Sequence, residues 1–169
     1  MDAKIAYLSM LDELHRSFRA EIRDLTPEQL YFQAAPDANS IIFLPWHWAR
    51  TEDGAMHRSF GGTPIWEADG WYEKFGLSAR EGGGGFGPEE IAAFRPELSL
   101  LMEYFTPVWQ FAVEAIRNAT DEDLMRVTNP DRPNMTVART IESLLIGHGY
   151  WHLGEVRFIK GLQGMPFGR

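Results

Sequence analysis

The sequence predicts an all-α protein of one domain, a four-helix bundle over residues 1–169 with a long ordered crossover between helices 2 and 3. Three observations carry this prediction. Four segments space their apolar side chains three and four residues apart, as the inward face of a helix requires. No segment alternates apolar and polar residues between turns as a strand would. The length of 169 residues suits a single core.

Helices 1 and 2 are predicted within the first 60 residues. Helix 1 covers residues 3–25, and its apolar stripe includes Leu11 and Phe18. A Thr-Pro-Glu-Gln start at residues 26–29 predicts a short capped turn of helix. Ser40 is a candidate cap for helix 2, which we expect to run to about residue 60.

Residues 61–87 form the crossover. They are rich in glycine, but they also contain Trp66, Trp71, Tyr72 and Phe75. Flexible linkers are usually poor in aromatic residues, so we expect these rings to anchor an ordered segment with a mobile tip near the glycines at 82–85. Its length allows helices 2 and 3 to run parallel.

Helices 3 and 4 follow the crossover. A short helix is expected over residues 88–94, with a restart near Pro96 and a kink around Pro107. Another capped acidic start occurs at residues 120–123, and helix 4 begins near Thr136. Both halves of the chain thus contain a long helix, a capped turn, a loop and a histidine-bearing helix, which indicates two related hairpins.

Composition narrows the functional classes. The 16 Lys and Arg against 24 Asp and Glu give a net charge of −8, which disfavours nucleic-acid and anionic-membrane partners. Without cysteine, any metal must be held by His, Asp or Glu. Acidic residues interrupt the amino-terminal segment, so it is not a secretory signal and we expect a cytoplasmic protein. The longest apolar run, residues 41–49, is far shorter than the roughly 20 residues of a membrane span.

Three histidines lie on inward faces of predicted helices. His148 and His152 are four residues apart, which places them one turn apart on one face of helix 4. His47 lies on the inward stripe of helix 2. The three imidazoles could converge in the bundle and hold a catalytic divalent ion. The alternative is three separate core histidines, each of which would need its own hydrogen-bond partners.

Other polar residues that could belong to a site lie near these stripes. Glu155 shares the face of the helix 4 histidines and could be a fourth ligand, a general base or an acceptor that orients an imidazole, or else a partly exposed glutamate without a role. Glu52 and Asp53 are expected to be solvated or salt-bridged. His15 is expected at the edge of the core and His57 at the surface.

The sequence resembles the DinB-like superfamily, which includes the DinB/YfiT group and the amino-terminal domain of mycothiol-dependent maleylpyruvate isomerase. Two segments carry the resemblance: SIIFLPWHWARTED, with the single histidine of a family helix, and HGYWHLGEVRFIKGLQG, which is similar to the family pattern His-x-x-x-His-x-Gly-Gln/Glu. The loop WEADGWYEKFGL resembles members with a long insert between helices 2 and 3. Many relatives carry Gln where this chain has Glu155.

The resemblance implies a function and a set of site residues. It implies that His47, His148 and His152 are ligands of one divalent metal, with zinc or nickel first and manganese or iron as alternatives. It also implies a homodimer and, in some branches, transfer of a low-molecular-weight thiol to an electrophile. We therefore expect a small-molecule enzyme of the thiol S-transferase type, without nucleic-acid or membrane partners.

Two other functions use the same residues. A metal-dependent hydrolase would activate water in place of the thiol. A non-catalytic binding bundle would use a metal or an apolar ligand only for stability, with a closed coordination sphere. A metal-free interaction module with core histidines is a further alternative.

Overall fold

The structure, a computed structural model, describes residues 3–166, and within them all regular secondary structure is helical. This confirms the predicted all-α class. The elements are α1 (Ala3–Ile22), α2 (Pro27–Leu30), α3 (Phe43–Phe60), α4 (Ile65–Ala68), α5 (Trp71–Lys74), α6 (Pro88–Ala93), α7 (Leu98–Asn118), α8 (Asp121–Met125), α9 (Val137–Thr140), a π-helical segment (Ile141–Gly147) and α10 (His148–Leu162). None of these helices is long and apolar enough to cross a membrane.

Four long helices, α1, α3, α7 and α10, pack side by side around the core and are called the bundle here. α1 and α3 each pack against both α7 and α10. Asp53 of α3 contacts Tyr104 of α7, and His57 one turn later contacts Phe111. Because the contacts advance in the same direction along both chains, α3 and α7 run parallel, as the length of the crossover allows.

α1 and α10 also run parallel. Near the start of α1, the Tyr7 hydroxyl donates to Glu142 at 2.7 Å, and near its end Glu21 accepts from Lys160 of α10 at 2.6 Å. Glu21 and Lys160 are both buried, so this ion pair links the two helices inside the protein. On α1, His15 contacts Glu52 of α3, whereas Phe18, further along α1, stacks on the earlier Trp48, so the two parallel pairs are antiparallel to one another and the order is up, down, down, up.

The predicted helix starts are mostly confirmed. The short helices α2 and α8 begin with capping boxes at Thr26 and Thr120, and the Thr136 hydroxyl caps α9. The prediction that Ser40 caps α3 was wrong. Ser40 forms an isolated bridge with Gln33, its hydroxyl has no hydrogen-bond partner, and the helix begins three residues later at Phe43.

The crossover is anchored by its aromatic residues, as predicted. Trp66 is fully buried and Trp71 nearly so, while Tyr72 and Phe75 pack against the core from the edge. The main chain is tied down as well, because the Asp53 carboxylate accepts hydrogen bonds from the backbone N–H groups of residues 65 and 66, each at 2.9 Å. The short helices α4 and α5 were not predicted.

The predictions that His15 lies at the edge of the core and His57 at the surface were both wrong. His15 is fully buried rather than at the edge, and its Nε2 lies 2.9 Å from a carboxylate oxygen of Glu52, which is buried too. The rings of Trp48, Phe105 and Trp109 surround this histidine. The imidazole and the carboxylate can both be buried because each supplies the other's hydrogen-bond partner.

His57 and Asp53 are also buried, because α7 packs over that side of α3. The His57 ring stacks on Phe111 with the centroids 3.9 Å apart, and its Nδ1 donates to the backbone carbonyl of Asp53. Asp53 is paired with Arg50 and accepts a hydrogen bond from the Tyr104 hydroxyl at 2.8 Å. The salt-bridged alternative was therefore right for Asp53, and the solvated alternative was wrong.

Candidate metal centre

The structure brings His47, His148 and His152 together, as the helical stripes predicted. One nitrogen of each ring lies within 4.8 Å of the corresponding nitrogens of the other two. The ring centroids of His148 and His152 are 4.2 Å apart, and the His47 ring lies 5.2 and 5.4 Å from them. The cluster joins α3 and α10 near the carboxyl end of the π-helical segment.

A glycine allows α10 to approach α3 this closely. A Cβ atom on Gly149 would lie 2.8 Å from the indole nitrogen of Trp48 and 3.0 Å from Leu14. The same indole nitrogen donates to the backbone carbonyl of Leu145, in the π-helical segment, at 2.8 Å. Trp48 therefore fixes the backbone on the amino-terminal side of His148.

The π-helical segment was missed by the sequence analysis. Its apolar residues Ile141, Leu145 and Ile146 are buried and are spaced much as in an ordinary α-helix, so periodicity did not reveal it. Such segments occur frequently at functional sites. Here it directly precedes His148.

Two of the three imidazoles are oriented by acceptors on their outer nitrogens. Nδ1 of His152 lies 2.5 Å from Oε2 of Glu155, and Nδ1 of His47 lies 2.5 Å from the Gly82 carbonyl oxygen. Because a carboxylate and a carbonyl can only accept, both Nδ1 atoms carry the hydrogen. In both rings Nε2 is left with a lone pair.

The facing nitrogens of His148 and His152 test whether a cation fits here. Their Nε2 atoms are 2.6 Å apart. Two lone pairs at this distance would repel each other, so one of the two rings carries a hydrogen on Nε2 and donates it to the other, at the place where a metal ion would bind. Three imidazoles, one of them bonded to a carboxylate, are the donors and outer partner that zinc and related divalent ions use. The residues therefore fit a divalent metal.

Burial keeps two of these rings in the form that binds metal. It lowers the pKa of His148 to about 4, with further lowering by the nearby His152 and His47. Burial also lowers the pKa of His47 below its usual range, although the hydrogen bond to Gly82 works in the opposite direction. Both imidazoles are consequently neutral at pH 7, as a metal ligand must be.

The contacts of Glu155 correspond to one of its three predicted roles. Its side chain is 36% exposed, and its Oε2 holds the Nδ1 hydrogen of His152. This contact corresponds to the acceptor that orients an imidazole. The roles of fourth ligand and general base stay predictions.

The contribution of the crossover to the site was not predicted from the sequence. Gly82 supplies the carbonyl that bonds to His47, although the glycines at 82–85 were expected to form a mobile tip. Gly82 is half-buried and Gly83 is buried, whereas Gly84 and Gly85 are exposed. An acidic residue directly before a run of glycines was the one available signal, because a carboxylate can bond to the N–H groups that follow it.

Comparison with known proteins places the chain in a family. The sequence profile of the DinB superfamily matches residues 10–156. The fold is similar to the crystal structure of a conserved protein from Enterococcus faecalis, with a TM-score of 0.84 and 24% sequence identity over 96% of this chain and 97% of that chain. None of the curated proteins searched matches. On the extent of the profile match, this chain belongs to the DinB superfamily.

Proposed function

We propose that the protein is a divalent-metal-dependent enzyme that joins a low-molecular-weight thiol to an electrophilic small molecule. Its metal ligands in this proposal are Nε2 of His47, His148 and His152. The observation that carries it is the convergence of three imidazoles from two helices, with the outer nitrogens of His47 and His152 held by acceptors. Membership of the DinB superfamily supports the same conclusion.

In this proposal three histidines hold the metal ion, and two acceptors orient two of those histidines. A divalent ion held by the three histidines would lower the pKa of a bound thiol or water and so supply a nucleophile at neutral pH. Glu155 holds the Nδ1 hydrogen of His152 and thereby presents Nε2 of that ring to the centre. The Gly82 carbonyl does the same for His47.

Nitrogen donors also bear on the identity of the metal. Imidazole suits zinc, nickel, copper and iron, whereas manganese prefers oxygen ligands. A set of three imidazoles therefore supports zinc, nickel or iron over manganese, and the resemblance to the family puts zinc or nickel first.

Elemental mass spectrometry on tag-free protein purified without chelator tests the ligand set. The parent should contain close to one equivalent of metal, and His47→Ala and His148→Ala should lose it. His57→Gln is the matched control, because this histidine lies outside the cluster and should leave the metal content unchanged. Circular dichroism confirms that each variant is folded. Absence of metal from the parent after reconstitution with zinc, nickel and manganese would overturn the proposal.

Activity assays then separate the chemical alternatives. Metal-loaded protein is given an electrophilic dye with and without a low-molecular-weight thiol, beside a panel of esters. Thiol-dependent turnover that His148→Ala abolishes supports the transferase. Ester hydrolysis without thiol would instead support the metal-dependent hydrolase. Bound metal without either activity would support a non-catalytic binding protein.

We also propose that the protein is a homodimer that pairs through α10. Three large apolar side chains on this helix are exposed: Trp151 at 70%, Phe158 at 66% and Leu162 at 53%. Their spacing of seven and four residues places them on one face. Large exposed apolar side chains grouped on one helix face are typical of an interaction surface.

A further inference from the structure

We propose that residues 81–83 of the crossover, called the clamp segment here, position His47, and that Glu81 is the positioning residue. The inference rests on the proposed metal site and adds to it a side chain that acts on His47 through the backbone of the crossover. Its structural part concerns the orientation of the His47 ring and can be tested without metal.

The first observation is the way Glu81 holds the backbone. Its Oε1 accepts hydrogen bonds from the N–H groups of Gly82 and Gly83, each at 2.9 Å. These two bonds fix the peptide planes on both sides of Gly82. The Gly82 carbonyl is part of the second plane, and it is the acceptor for Nδ1 of His47. Glu81 therefore aims the acceptor that orients the ring.

The second observation is that Gly83 lies where a Cβ atom would clash with neighbouring rings. Its φ of +78° is in the left-handed region, and a Cβ atom would lie 2.6 Å from the Trp46 ring and 3.0 Å from Phe43. Phe43 also stacks on His47, with the ring planes 3° from parallel. The rings against which Gly83 packs thus belong to the surroundings of the same histidine.

The third observation is a link from the clamp segment back to α3. Arg50 donates from Nε to the backbone carbonyl of Glu81 at 3.0 Å, and its guanidinium lies over the Trp66 ring at 4.3 Å. Nη1 of the same side chain bonds to Asp53 and Tyr104. Because Arg50 and His47 lie one turn apart on α3, the clamp segment is attached to this helix at two neighbouring points.

These contacts have a chemical consequence for the site. A histidine ring that can rotate, or that exchanges its hydrogen between the two nitrogens, presents the lone pair of Nε2 only part of the time. Losing the outer partner of a metal-binding histidine typically lowers metal affinity about 10- to 100-fold. We expect a loss in this range when the clamp segment is released.

Four variants test the inference. Glu81→Ala removes the acceptor for both N–H groups, whereas Glu81→Gln keeps an amide oxygen at that place. Gly83→Ala forces the backbone away from Trp46 and Phe43. Gly84→Ala is the matched control, because a Cβ at this exposed position would meet no atom within 4 Å and its φ is not in the left-handed region.

Two readouts are used on each protein. In metal-free protein at pH 8, nitrogen-15 NMR identifies which ring nitrogen of His47 carries the hydrogen. Titration with Co²⁺ gives the affinity, and the visible spectrum of the bound ion reports its coordination. The parent, Glu81→Gln and Gly84→Ala should show the hydrogen on Nδ1 and similar affinity and spectra.

Glu81→Ala and Gly83→Ala should mix the two tautomers, bind Co²⁺ about 10- to 100-fold more weakly and change its spectrum. A single Nδ1–H tautomer in both, with parent affinity and spectrum, would overturn the inference. If the parent itself binds no Co²⁺, the proposed function fails, while the tautomers still decide whether the clamp segment orients His47.

Discussion

Two glycines of α10 differ in their surroundings: Gly149 is packed against other side chains, and Gly154 is exposed. Replacing each with alanine therefore tests how much the close packing at Gly149 matters. Gly149→Ala would place a methyl group 2.8 Å from Trp48, whereas Gly154→Ala would meet no atom within 4 Å. We expect the first substitution to destabilise the protein by about 1 to 3 kcal/mol. The second should stabilise it by up to about 1 kcal/mol, because alanine is the better helix former. Urea unfolding of both variants measures the difference, and equal midpoints would contradict this account of Gly149.

The low pKa of His148 predicts a pH dependence of stability in metal-free protein. The folded pKa is about 4, against about 6.5 for an unfolded histidine. Between these values the unfolded chain binds more protons, so the free energy of unfolding falls as the pH falls from about 6.5 to about 4. His148→Asn should show a smaller loss between pH 7 and pH 4.5 in urea titrations with chelator present. Parallel losses in parent and variant would contradict the prediction.

The positions of the five histidines could be predicted from the sequence only in part. The spacing of His148 and His152, with His47 on another inward stripe, correctly predicted that three imidazoles meet. His15 and His57 were misplaced because helical spacing gives the face of a residue but not the partner that makes burial tolerable. For His15 that partner is Glu52, 37 residues away in sequence.

At the scale of elements, the crossover depends on one carboxylate of α3. Asp53 accepts from two backbone N–H groups of the crossover and is paired with Arg50 inside the protein. Asp53→Ala should cost about 3 to 5 kcal/mol, because it removes the carboxylate that pairs with the buried Arg50 side chain and accepts from one buried and one partly buried backbone N–H group. Asp69→Ala, at an exposed position of the same crossover, should change stability by less than about 0.5 kcal/mol. Thermal and urea unfolding provide the measurement, and similar effects for the two variants would contradict the anchoring role.

Local chemistry determined which elements could be predicted. The starts of α2 and α8 were correct because threonine and its partner three residues later are sufficient to form a capping box. The π-helical segment was not predictable from such signals, since its apolar spacing resembles that of an α-helix and the Trp48 indole that bonds to its Leu145 carbonyl lies 97 residues away in the sequence. The short helices α4 and α5 were hidden within a glycine-rich stretch, because their stability comes from packing of Trp66 and Trp71 on the core.

At the scale of the whole molecule, the proposed dimer has a direct test. Phe158→Glu places a charge in the exposed apolar face of α10 and should convert the dimer into a monomer. Met125→Glu is the control, since Met125 is equally exposed, at 68%, but belongs to α8. Light scattering after gel filtration should give twice the chain mass for the parent and the control, and the single mass of 19.3 kDa for Phe158→Glu. A monomeric parent would exclude the dimer.

The three histidines lie on two helices that are far apart in the sequence, His47 on α3 and the other two on α10. His47 belongs to the first helical hairpin and His148 to the second, about 100 residues later in the chain. An ion held by both would act as a reversible cross-link that closes a loop of this length, and constraining so long a loop removes much of the conformational freedom of the unfolded chain. The two hairpins would then separate only after the ion had been released.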